Sequence, residues 1–214
     1  MEKNVAILMA DLTGYTAMTD IHGGASAAKI VNKYMQLVEQ SLFASTQVMQ
    51  RIGDQVVMIS DVPLDIVTTA QKLITIAHEH HFLSIHMGIH YGSILIEDGN
   101  LFGSPINVAS RIMNSASRGQ ILCSSAYIDE LPTGISFEFV STGKHKLKNV
   151  MSHIEVFELT TTQSNPFYID PVCHMLVDPQ NEDHLVTYQN ETFHFCSSQC
   201  MTLFTAYPES FLLP

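Results

Sequence analysis

Three of the four cysteines of this 214-residue chain, Cys173, Cys196 and Cys200, lie behind a polar stretch, Thr160-Thr161-Thr162-Gln163-Ser164-Asn165-Pro166. That stretch is threonine-rich and closes on proline, the composition of a linker. The unit beyond it, about 45 residues long, is too short to hold itself together readily by core burial, and a bound metal is one common staple. Cys196 and Cys200 stand one helical turn apart, so both sulfurs reach one ion. Cys173 sits on the turn Asp170-Pro171-Val172-Cys173, which puts a third thiol on a knuckle. Thiolates suit Zn2+ or Cu+. His174 or His194 is a candidate fourth ligand, and a water or an open position serves as well; reduced thiols packed among aromatic rings are the alternative. The chain thus divides into residues 1–160, a linker over 161–168 and a cysteine-rich unit over 169–214.

The larger part reads as mixed strand and helix. Residues 5–11 (VAILMAD) form a short apolar run that suits a buried strand. A loop with Gly14 and Gly23-Gly24 leads to a helix in which Ile30, Tyr34, Leu37, Val38 and Leu42 recur at three- and four-residue steps. Residues 46–49 and 56–59 read as a hairpin around Gly53-Asp54, and Pro63 opens a second helix. Residues 81–96 alternate, with Leu83, Ile85, Met87 and Ile89 on one side and Ser84, His86, Gly88 and His90 on the other. A helix over 104–116 and strands over 120–123, 136–140 and 153–159 complete a sandwich with a largely antiparallel sheet. Cys123 reads as a buried apolar residue of its strand, and the eleven methionines as core filler. His78, His80 and His81 read as a solvated cluster at a helix end.

Ten Lys and Arg against 21 Asp and Glu give a net charge of −11. Such a balance supplies no positive field for a nucleic-acid polymer, so a zinc-knuckle reading with a polyanion partner fails. No apolar run approaches the roughly 20 residues needed to cross a bilayer. Met1-Glu2-Lys3-Asn4 lacks the build of a signal peptide, and four cysteines without one point to reduced thiols or metal ligands. The expectation is a cytoplasmic protein with no membrane contact.

Two aspartates mark a candidate site. Asp11 ends the first strand in Asp11-Leu12-Thr13-Gly14-Tyr15-Thr16, and Asp54 sits in the hairpin turn. A strand end and a neighbouring hairpin tip bring two carboxylates together, and like charges at close range demand a cation. Mg2+ takes one or two carboxylates and completes its shell with water and phosphate oxygens. Each aspartate alone is also ordinary turn chemistry. Asn107 and Arg111 lie four residues apart on one helical face, an amide and a guanidinium fitted to a sugar oxygen and a phosphoryl group.

Taken together, these motifs resemble the class III adenylate/guanylate cyclase catalytic domain over roughly residues 3–160. The resemblance rests on Asp11-x-x-Gly14-Tyr15-Thr16, the Gly53-Asp54 hairpin, Met87-Gly88-Ile89-His90-Tyr91-Gly92, Phe102-Gly103-x-x-Ile106-Asn107-x-Ala109-Ser110-Arg111, and Leu147-Lys148-Asn149-Val150. It implies an α+β, ferredoxin-like cyclase sandwich. It also implies that Asp11 and Asp54 hold two Mg2+ or Mn2+ ions and that Gly14, Tyr15 and Thr16 contact substrate. Asn107 orients the ribose, Arg111 stabilises charge on the α-phosphate, and Lys148 holds the terminal phosphates, with Asn149 where the family usually has glycine. In the family the acids of one subunit face the asparagine and arginine of another, so this chain, carrying both halves, is expected to be a homodimer with shared sites. Adenylate cyclases usually place lysine at the position of Gln50 and aspartate or threonine at Asn100; guanylate cyclases have glutamate and cysteine. Amides present either a donor or an acceptor, so the expectation is ATP as substrate with weak discrimination against GTP.

The C-terminal unit resembles the YHS domain, a small, treble-clef-like, metal-binding module. The match runs through Asp170-Pro171-Val172-Cys173-x-Met175-x-Val177, Tyr188-x-Asn190, Phe193-His194-Phe195-Cys196-Ser197-x-x-Cys200-x-x-x-Phe204 and Pro208. His174 and Asn190 stand where glycine is usual. The combined expectation is a lyase forming cyclic AMP and pyrophosphate for signal transduction, modulated by the metal-binding unit. The rival is a non-enzymatic metal sensor on a silent cyclase-like dimerisation scaffold.

Overall fold

The computed structural model describes residues 2–80, 82–148, 150, 152–161, 167–180 and 182–212. Strand β1 (Glu2–Leu12) lies inside the main sheet, paired antiparallel with β3 (Gln55–Ser60) on one side and β4 (Ile85–Glu97) on the other. Ala6, Leu8 and Ala10 face α1 (Tyr15–Ser41) and α2 (Pro63–Glu79), whereas Val5, Ile7 and Met9 face α3 (Ser104–Met113). Both faces are covered, which is why this strand reads as an unbroken apolar run instead of alternating.

The hairpin β2 (Gln47–Ile52) and β3 flanks β1, while β6 (Ile121–Ser124), β8 (Ile154–Leu159) and β7 (Phe139–His145) extend the sheet beyond β4, in the order β2-β3-β1-β4-β6-β8-β7. Only β4 and β6 run parallel among these pairs. The result is a mixed α+β sandwich with a largely antiparallel sheet, as expected. Two short elements were not anticipated: β5 (Asn100–Phe102), which folds back on β4, and α4 (Ser125–Ile128). The expected loop between Gly14 and Gly24 is instead helical from Tyr15, broken at Gly23, where φ 77° and ψ 168° leave the helical region. Strand β4 begins at Ile85, α3 ends at Met113, and β7 covers 139–145, so those expected boundaries shift by several residues.

Helix α3 crosses β4 at Gly88. A Cβ there would stand 2.2 Å from the Met113 amide nitrogen and 2.6 Å from the Ala109 carbonyl oxygen, so only glycine admits this approach. His78 departs from its expected place on the solvated surface. It is half-buried, its ring centroid 5.4 Å from that of Phe167. His81, Asn149 and the linker residues 162–166 fall outside the described residues.

The C-terminal unit consists of two small hairpins, β9 (Tyr168–Ile169) with β10 (Leu176–Val177) and β11 (Leu185–Tyr188) with β12 (Glu191–His194), followed by α5 (Ser198–Ala206). Its buried residues Val172, Cys173, Phe195, Cys200 and Phe204 share one cluster with Met18 and Ala27 of α1. His174 and Asn190, at the two positions where glycine is usual, have left-handed φ values of 61° and 66°. Asparagine and histidine tolerate that region better than most side chains. No described helix is long and apolar enough to cross a membrane.

Candidate functional site

Asp11 ends β1 and Asp54 follows Gly53 at the β2–β3 tip, where φ 65° at Gly53 makes the tight turn. The fold brings the two carboxyls together: Asp54 lies within hydrogen-bonding reach of Asp11 and is pushed up to about 7, first by burial and then by the neighbouring acid. His86 stands opposite Asp11 in the β1–β4 ladder, its Nε2 3.9 Å from Asp11 Oδ2 and its Nδ1 3.1 Å from Thr13 Oγ1. Burial lowers the His86 pKa, which favours a neutral ring. Among the described residues neither acid has a lysine or arginine ion pair. A pair of half-buried carboxylates with no protein cation beside them fits a hard divalent ion with oxygen ligands.

The chain enters α1 at Tyr15, four residues after Asp11. Gly14 is the N-cap at φ 86°, and no side chain caps it. Tyr15, Thr16 and Ala17 thus carry amide N–H groups without intrahelical acceptors. Gln50 lies half-buried on β2 and Asn100 exposed on β5, two strands that come into contact. Among the described residues Asn100 Nδ2 donates only a long 3.3 Å bond to the Asp98 carbonyl, so the amide remains free to turn.

Asn107 and Arg111 sit together on α3, away from its buried face of Val108, Ala109, Ile112 and Met113. Leu147 packs beneath that helix with Val108 and Ile112, setting the exposed Lys148 beside it. Among the described residues no hydrogen bond or ion pair links Asn107, Arg111 or Lys148 to the acids within one chain.

The three cysteines converge, with Cys196 Sγ 3.4 Å from Cys173 Sγ and 3.8 Å from Cys200 Sγ. Asp170, fully buried, positions both knuckles: Oδ1 accepts from the Val172 and Cys173 amides at 2.8 and 3.3 Å, and Oδ2 from the Cys196 amide at 2.8 Å. Hydrogen bonds from the Cys173 and Cys196 thiols pull Cys200 down to about 4. The histidine at these sulfurs is neither His174 nor His194. It is His22 of α1, whose Nε2 lies 3.6 Å from both Cys196 Sγ and Cys200 Sγ. The left-handed backbone of His174 turns its side chain against Gly14, where a Cβ would come within 2.5 Å of His174 Cβ. His194 stacks on Tyr168 with ring centroids 3.5 Å apart. Cys123 is fully buried and its thiol pushed up by burial, consistent with a core role.

With this geometry in hand, comparison with known proteins places the chain. Residues 1–161 match the model of the adenylate and guanylate cyclase catalytic domain, and residues 168–214 match the YHS domain. The chain belongs to the adenylate and guanylate cyclase catalytic domain family and carries a YHS domain behind it. A pH-sensitive adenylate cyclase of Mycobacterium tuberculosis is 23% identical over 161 residues, covering 73% of this chain and 41% of that protein. The chain therefore spans well under half the length of that relative. A copper-transporting P-type ATPase of Rhizobium leguminosarum is 44% identical over 43 residues, 20% of this chain and 5% of the ATPase. The crystal structure of the adenylyl cyclase CyaB from P. aeruginosa shares the fold, with a TM-score of 0.65, 16% identity, and coverage of 77% of this chain and 97% of that one.

Proposed function

We propose that the protein converts ATP to 3′,5′-cyclic AMP and pyrophosphate, as a homodimer with two shared sites. The observation that carries this reading is the meeting of Asp11 and Asp54 beside the uncapped start of α1. Asp11 and Asp54 would hold Mg2+ or Mn2+, which when bound supplies Lewis-acid activation of the ribose hydroxyl and neutralises triphosphate charge. The free amides of Tyr15 and Thr16 then face phosphate oxygens. Asn107, exposed, and Arg111, half-buried, are bonded to neither acid of their own chain among the described residues and come from the second protomer. Asn107 holds the ribose and Arg111 meets the charge that grows on the α-phosphate. Lys148 holds the outer phosphates as a point charge. The 3′-oxygen forms its bond to the α-phosphorus as the bond to the β-phosphate breaks, and the hydroxyl proton leaves to solvent.

Gln50 and Asn100 support a second reading, guanylate or dual-specificity activity, because an amide that turns accepts from one purine and donates to the other. Purified protein assayed with ATP and with GTP, each with Mg2+ and with Mn2+, separates the two. A preference for ATP of no more than about tenfold is expected, the worth of one ordinary hydrogen bond. A thousandfold preference in either direction would show that the amides are locked.

The C-terminal unit is read as a thiophilic metal site, with Zn2+ and Cu+ both compatible with its thiolates. Its contact with α1, close to Gly14, supports modulation of the cyclase by that metal, in a protein working where ATP is found, the cytoplasm.

A further inference from the structure

We propose that His22 completes a tetrahedral Zn2+ site with Cys173, Cys196 and Cys200, so that one ion clasps the cyclase unit to the C-terminal unit. Zinc holds sulfur at about 2.3 Å and imidazole nitrogen at about 2.0–2.1 Å; a tetrahedron with those arms sets sulfurs about 3.8 Å apart and nitrogen about 3.6 Å from each sulfur. The observed separations are 3.4 and 3.8 Å between sulfurs and 3.6 Å twice from His22 Nε2. All four donor atoms lie within 4.8 Å of one another. The other nearby acid, Asp170, is occupied by three backbone amides. Three sulfurs and one nitrogen in a tetrahedron are a zinc set, whereas the thiolates alone would serve Cu+.

The clasp has a defined place in the fold. His22 is the last residue before the break at Gly23, so it closes the helical segment that Gly14 opens. That segment, residues 15–22, is about 12 Å long. The acid pair lies at one end and the thiolates at the other. Two further contacts brace the junction: Gln199 Nε2 donates to the Ile21 carbonyl at 2.9 Å, and Arg118 Nη1 donates to the His174 carbonyl at 3.1 Å. Zinc would therefore fix the helix on which the nucleotide site depends.

The test uses the full chain, stripped of metal and reloaded with Zn2+, Co2+ or Cu+, and reads the metal instead of turnover, so its failure leaves the cyclase reading untouched. X-ray absorption of the zinc-loaded wild type is expected to count three sulfurs and one imidazole; three sulfurs with an oxygen would overturn the proposal. His22→Ala should weaken Zn2+ binding about 100-fold or more, since loss of even an outer-shell partner costs 10–100-fold. It should also alter the Co2+ absorption bands. His174→Ala and His194→Ala should leave both unchanged. Zinc should slow amide exchange over residues 15–22 in the wild type and not in His22→Ala. Wild-type affinity and spectrum in His22→Ala, the loss appearing in His174→Ala or His194→Ala instead, or tight Cu+ binding with none for Zn2+, would each overturn it.

Discussion

Asp54→Asn is expected to abolish cyclic nucleotide formation, on the order of 1000-fold, while making the metal-free protein more stable at alkaline pH. The loss follows from removing one of two carboxylates available to a divalent ion. The gain follows from linkage. The Asp54 carboxyl is raised from 3.8 to about 7 in the fold, so between those values the folded chain keeps a proton that the unfolded chain has shed. Stability therefore falls as pH rises through that window and is level above it. An amide is neutral throughout, so melting curves of variant and wild type should converge below about pH 4 and separate, with the variant higher, above about pH 7. Each kcal/mol recovered corresponds to about 2–4 °C in a chain of this size. Mg2+ or Mn2+ should raise the melting temperature of the wild type and not that of the variant. A variant that retained activity, or melted below the wild type at alkaline pH, would show that the two acids do not form the close, half-buried pair described.

Arg111→Ala should lower kcat about 100- to 1000-fold, the cost of removing one donor aimed at charge that develops in the transition state. KM should change little. Arg111 is half-buried on α3, with no side-chain ion pair among the described residues, so the melting temperature should stay within ordinary surface-mutation range. Arg111→Lys should not restore the rate, because an ammonium lacks the planar fork that matches a phosphoryl group. Steady-state kinetics of both variants beside a thermal melt makes the check. A rise in KM with unchanged kcat would assign Arg111 to ground-state binding instead.

Much of this was legible in the sequence because the signals are local or strongly periodic. The apolar run of β1 and the step pattern of α1 each reflect burial on a nearby element, and the proline at the start of α2 reflects the first helical turn, where no backbone N–H is needed. Asp11 and Asp54 could be paired because one ends a strand and the other tips the hairpin beside it. The short elements β5 and α4 escaped because three or four residues carry no measurable period. His22 escaped for a different reason. It lies 151 positions before Cys173, on a helix, and ligand spacing rules see only neighbours along the chain. His174 drew notice by adjacency to Cys173, yet its left-handed backbone turns the ring toward Gly14. The one available signal was Gly23-Gly24 directly after His22, which ends a helical segment and leaves its last side chain free to meet another unit.

Mixing two inactive full-length variants tests the shared site most directly. Asp54→Asn lacks the acid half and Arg111→Ala the guanidinium half, so neither homodimer has a complete site. After dissociation and random reassociation in equal amounts, half the dimers are mixed and each has one intact site of two, so about a quarter of wild-type cyclic AMP formation should return. A mixture no more active than its two components would contradict sites built from facing protomers.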